Sequence, residues 1–179
     1  MTLRVINVFR DGRKETKSLR ACNTHLDSLS SAHPIRPYQV AKATNYPEEE
    51  VIHGGVLAGN MNSIQASDDR IAGDNNLKDA YLVLGGTERD SKGYTWGYQQ
   101  RPSNKHEIFW PKRLDKVRYR GGLVAGALTF IGVGVIVKGD EIRSSMRARG
   151  MGHWATDDYG LLADLEVAEV VEVEEEKKD

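Results

Sequence analysis

From Gly121 to Val137 the chain reads GGLVAGALTFIGVGVIV, 17 residues without a charge. A run this apolar must leave water, and it has two places to go: a lipid bilayer or a protein interior. A membrane-spanning helix wants about 20 consecutive apolar residues. This run is shorter and carries five glycines, each costing a helix about 1 kcal/mol relative to alanine. Ile131, Val133, Val135 and Val137 recur at the strand period of two. The expectation is therefore buried or edge β-strands and no membrane span. Gly132-Val-Gly134 is no dinucleotide fingerprint, because neither a third glycine nor a helix follows.

Strands need partners, and the rest of the chain offers them. LRVINVF and SLRACNTHL each alternate apolar and polar positions around the polar link RDGRKETK, the pattern of a β-hairpin whose second strand ends near His25. HPIRPYQVAKATNY places Pro37 in the first turn of a helix with Val40, Ala41 and Thr44 on one face. GGVLAGN is a short buried strand ending in a turn. DNNLKDAYLVLGG gives the clearest helical pattern. Asp74 or Asn75 caps it, Leu77, Ala80, Tyr81 and Leu84 make its stripe, and Gly85-Gly86 stop it. GYTWGY, RLDKVRY and LLADLEV read as further strands.

With 179 residues, 39% of them hydrophobic and 28% charged, the chain suits one globular domain with a real core. The expected division is a domain over 1–165 and an acidic tail over 166–179. That tail carries seven acids and two bases, which leaves 23 bases against 19 acids in the body. Such a body tolerates a phosphate ligand without carrying a strong nucleic-acid footprint. Cys22 is the one cysteine, and the start MTLRVINVFRDG has no secretory pattern. Both fit an intracellular protein.

Asn60 and Asn62 follow a strand, where open α/β sheets place their chemistry. An amide can hold a phosphate oxygen or orient water, yet it cannot take up a proton. On their spacing alone a structural turn is the favoured reading. His25 closes a strand, Asp115 sits between Leu114 and Val117, and adjacent Asp157 and Asp158 precede a strand where they could meet a hard cation or decorate a turn. His33, His53, His106 and His153 show no zinc spacing, and Asp68-Asp69 lacks the remainder of a calcium loop. No Gly-x-Ser-x-Gly elbow supports serine-hydrolase chemistry.

The order of these segments says more than any one of them. NTHLDS, RPYQ, GGVLAGNMNSI, NNLKDAYLVLGG, GYTWGYQ, RLDKV and HWATDDYGL succeed one another from about Leu3 to about Val167. In this the chain resembles the endonuclease/exonuclease/phosphatase superfamily, and within it fungal proteins similar to type-2 tyrosyl-DNA phosphodiesterases. The resemblance implies an α/β fold, here an incomplete four-layer αββα sandwich of two packed β-sheets flanked by helices. It implies hydrolysis of phosphate esters, nucleic acid among them, with magnesium or manganese. Carried over by motif, His25 faces the phosphate, Asn62 orients ligand, Asp115 steers the terminal catalytic histidine, Asp157 associates with the metal and Trp96 lines the substrate groove.

Three departures qualify that picture. Asn60 stands where the family's Gly-Asp-x-Asn motif has the aspartate that activates water, and an amide cannot accept that proton. Asp158 stands where the family has its terminal histidine, turning a cationic donor into an anion. The family's asparagine and metal-binding glutamate lie upstream of its Thr-His-Leu motif, whereas only 24 residues precede His25 here and none forms that pattern. The expectation is an N-terminally truncated, catalytically impaired relative. Its rivals are an active hydrolase whose missing glutamate comes from elsewhere, and a non-catalytic interaction module that self-associates through exposed sheet.

Overall fold

The computed structural model describes residues 1–8, 11–29, 31, 34–45, 52–99 and 110–168. His33 and His106 lie outside them, as does the tail beyond Ala168. Strands β1 (Thr2–Val8) and β2 (Lys14–His25) form the expected hairpin. β3 (Gly54–Asn60) pairs parallel to β2 and antiparallel to β5 (Asp115–Gly121), with β4 (Lys78–Asp79) outermost. The five-stranded order is β1-β2-β3-β5-β4. A second sheet holds β6 (Leu123–Ile131) and β7 (Gly160–Val167), antiparallel and bulged between Ala125 and Ala127.

Successive side chains of a strand point to opposite faces, so the large sheet has two cores. On one face Leu57 joins Leu26, Met61, Leu77, Ile71 and Val40 of helix α1 (Ile35–Thr44). On the other, Val117 and Tyr119 of β5 meet Leu123 and Ala125 of β6, with Leu161, Ala163 and Leu165 of β7 packed against them. The two sheets thus face each other with a helical layer behind the larger one, a mixed α/β sandwich as the motifs implied. β7 ends at Val167, two residues past the expected domain end.

Several expected elements differ. The helix expected from Asp74 is broken: α2 (Ile71–Asp74) and α3 (Ala80–Val83) flank β4. Asp79 is the reason. Its carboxylate accepts from Tyr81 N–H and from buried Arg113, while Lys78 and Asp79 pair in register with Tyr119 and Arg118. Tertiary pairing overrides local propensity here, and Leu84 of the expected stripe is exposed. In α1, Ala41 is exposed while Arg36 is fully buried. The Trp96 segment makes only isolated bridges, and strand β6 stops at Ile131, leaving Val133 and Val135 exposed beyond a glycine turn. Helix α4 (Asp140–Ala148), absent from the sequence reading, carries no buried residue. Among the described residues no helix is long and apolar enough to cross a membrane.

Candidate functional site

Register brings three of the expected residues into one row. His25 ends β2 opposite Asn60, which ends β3 opposite Asp115, which begins β5. Asn60 lies on the same side of β3 as Val56 and Ala58, so the row faces the second sheet. From that side comes Asp158, just before β7. Trp96 bridges to both Lys112 and Asp158, and Tyr159 N–H donates to Thr95 C=O at 2.8 Å. Thr95, unremarked in the sequence, is 1% exposed. Its hydroxyl oxygen accepts from Leu114 N–H and Asp115 N–H at 3.1 and 3.0 Å, holding the start of β5 in place. A threonine between two aromatic residues gives no sequence sign of this role.

The turn after β3 is tightly specified. Gly59 has φ +129°, and a Cβ there would lie 2.0 Å from Thr24 C=O on the adjacent strand. Asn62 has φ 45°, in the left-handed region that asparagine tolerates. Its backbone N–H donates to Asn60 Oδ1 at 2.9 Å, and its side-chain Nδ2 donates to Leu26 C=O at 2.6 Å. Asn62 is 4% exposed and anchors the residue after His25. Asp68, beside which the sequence completes no calcium loop, accepts from Arg36 Nε and Nη2 and from the N–H groups of Ile64 and Gln65. Arg36 Nη1 in turn donates to Asp27 and Leu29 carbonyls. One buried ion pair therefore ties together the loops that follow β2 and β3.

Two cavities meet at the row. One of about 500 Å³ is lined by His25, Asn60, Asp115 and Asp158. The other, of about 370 Å³, adds Asn62, Trp96, Trp110, Lys112 and Asp157. All seven expected site residues line one or both. Asp158 is pushed up to about 7, first by burial, then by the charges of Asp115 and Asp157, against a hydrogen bond from Asn60. Burial likewise raises Asp115, opposed by the Thr95 hydrogen bond and by His25. Asp115 Oδ2 and Asp158 Oδ1 are both enclosed and without a partner. Trp110, 71% exposed, is a groove residue that the sequence reading did not single out.

Magnesium demands near-octahedral oxygen coordination. Among the described residues no three His, Cys, Asp or Glu side chains gather to hold a metal ion. Asp157 is exposed, and the free oxygens of its carboxyl neighbours are enclosed. These residues do not fit the metal that the resemblance implies.

The chain superposes on solved structures over most of its length. D. rerio TDP2, solved as a complex with single strand DNA product, matches 92% of this chain with 61% of its own at a TM-score of 0.53 and 18% identity. The chain has the TDP2 fold. C. elegans TDP2 matches 89% of this chain with 49% of its own at a TM-score of 0.51 and 18% identity. An endonuclease/exonuclease/phosphatase family protein from Leptotrichia buccalis gives 92%, 53%, 0.48 and 13% in the same order. The chain spans less than two thirds of the TDP2 structures it matches. No protein-family model and no curated protein matches it.

Proposed function

We propose that the cleft at the end of β2, β3 and β5 is a phosphodiesterase site that retains its geometry and has largely lost its hydrolytic power. The observation that carries this reading is the contact between Asn60 and Asp158. Asn60 Oδ1 accepts from Asn62 N–H, and the Asn60 amide stands beside the Asp158 carboxyl in one cavity, where it opposes the rise that burial imposes on that carboxyl. An amide set beside a half-buried carboxyl is a poor catalytic arrangement. Neither lone pair of Asn60 takes a proton from water, so the row lacks a base where the attacking water would stand. Asp158 sets a carboxyl where a developing phosphoryl charge needs donors. An ionised Asp158 4 Å from such a charge opposes it by about 4 kcal/mol at an effective dielectric of 20.

The two departures from the family pattern are thus complementary. An aspartate-histidine arrangement has become an asparagine-aspartate one. His25, Thr95 and Asp115 keep their places around it, and Trp96 and Trp110 keep the groove open to a planar group. Single-stranded DNA and small phosphodiesters are the ligand classes to test, with magnesium or manganese supplied. On bis(p-nitrophenyl) phosphate the natural chain is expected to hydrolyse close to the buffer rate. The double variant Asn60→Asp, Asp158→His is expected to gain about 10² in rate, as restoring a general base commonly does. Brisk turnover by the unmodified chain, unchanged or lowered in the double variant, would reverse the reading.

A further inference from the structure

We propose a second ligand site, a small-oxyanion pocket of the phosphate class, behind the groove and walled by Ser63, Asp69, Glu88, Arg89, Lys112 and Arg113. It does not depend on hydrolysis at the Asn60 cleft. The starting observation is an imbalance of buried charge. Arg113, Lys116 and Arg118 are 4%, 1% and 1% exposed, and the carboxylates among them are Asp79 and Glu88. Asp79 accepts two hydrogen bonds from Arg113 Nη1 at 2.9 Å besides the one from Tyr81 N–H, and Glu88 is shared between Arg113 Nη2 and Lys116 Nζ. Arg36 and Asp68 form a separate closed pair. Among the buried groups three cations therefore share two anions, and uncompensated buried charge is strongly unfavourable.

The shortfall is visible atom by atom. Arg113 Nε, Arg118 Nε and Arg118 Nη1 are enclosed without an acceptor, as is the Ser63 hydroxyl. Arg113 and Ser63 both wall a cavity of about 190 Å³, room for roughly six waters at ~30 Å³ each. Arg89, exposed, stands at its rim, and Lys112 reaches across it to donate to Ile64 C=O at 2.7 Å. Asp69 is the opposing charge at the rim, and burial followed by the Glu88 charge raises its pKa, which weakens that opposition. Counting Lys116 behind Glu88 and the Asp79 that Arg113 binds, four cations face three carboxylates, with Arg118 a further buried cation beside them. A tetrahedral oxyanion supplies several acceptors at once, matching arginine N–H groups and a hydroxyl better than a point anion does.

Ile64 and Lys112 line both this pocket and the tryptophan groove, so the two are contiguous. The oxyanion can accordingly be free phosphate or the next phosphate of a nucleotide strand. The test is thermal melting against inorganic phosphate and against a 5′-phosphorylated dinucleotide, with sodium chloride holding ionic strength constant. Melting temperature is expected to rise and saturate with phosphate in the natural chain and in His25→Ala. The response is expected to fall at least five-fold in Ser63→Val, Arg89→Gln. Phosphorus-31 line broadening that disappears in the double variant is the second readout and requires no melting. A larger response to dinucleotide than to phosphate identifies the strand as source, and the converse identifies the free ion. Equal responses in the natural chain and the double variant, loss of the response in His25→Ala, or no response beyond the salt control would each overturn the proposal.

Discussion

A single carboxyl carries most of the site's electrostatic peculiarity. Asp158 is raised from 3.8 to about 7 by burial and by Asp115 and Asp157. Between those two values the folded chain holds a proton that the unfolded chain has released. This contribution therefore favours folding as pH falls toward 4 and becomes a penalty above about 7. Water on the open side of the carboxyl screens the repulsion, leaving roughly 1–2 kcal/mol. Asp158→Asn keeps the shape and an acceptor for Asn60. Urea unfolding is expected to show it more stable than the natural chain at pH 8 and level with it at pH 4. An equal difference at both pH values would remove the electrostatic account. Asn60, His25 and Asp115 were legible in the sequence because their motifs occur in order. The Asn60–Asp158 contact was not, because 98 residues separate its members and nothing local links them.

At the scale of elements, the turn after β3 and the Arg36–Asp68 pair decide where the site residues stand. Gly59→Ala would drive a methyl group into Thr24 C=O from a backbone conformation that alanine avoids. It is expected to cost roughly 2–4 kcal/mol, read from the denaturant midpoint, and to part β2 from β3 beside His25. A cost below 1 kcal/mol would mean that the strands accommodate it freely. Asp68→Ala strands a fully buried arginine and is expected to lose about 3–5 kcal/mol, whereas Arg36→Met, Asp68→Leu recovers part of that loss. Thermal unfolding of the three proteins checks the order. Strand β2, β3 and β7 patterns were readable because one face of each strand is apolar. The helix expected at Asp74 was not there because Asp79 is claimed by Arg113, 34 residues away. Strand β5 was legible as a strand, but the burial of Lys116 and Arg118 was not, since they occupy interior positions by pairing with or facing carboxylates of distant loops.

At the scale of the molecule, the second sheet is the open flank. Among the described residues it has two strands, and Val124, Ile131 and Leu162 on its outer side are 48%, 49% and 58% exposed. Exposed apolar sheet with free edges seeks partners. Sedimentation is expected to show association that grows with concentration, and Val124→Lys, Leu162→Lys to suppress it. A monomer at every concentration would remove the interaction-module reading. The positive excess around Arg113, Lys116 and Arg118 lies on the other side of the large sheet, so this substitution leaves the proposed oxyanion pocket intact.

The sequence by itself determined most of the strands, that the charge-free run from Gly121 would enter a sheet as far as Ile131, and the order in which the cleft residues occur. Alternation and glycine placement act within a few residues, so they can be read in one dimension. Only the tertiary structure decided that Asp79 would belong to a strand, that Arg36, Lys116 and Arg118 would be buried, and that Asn60 would meet Asp158. Those outcomes depend on which charges find one another across the fold. Electrostatic pairing acts through space, and its partners are set by packing rather than by proximity along the chain.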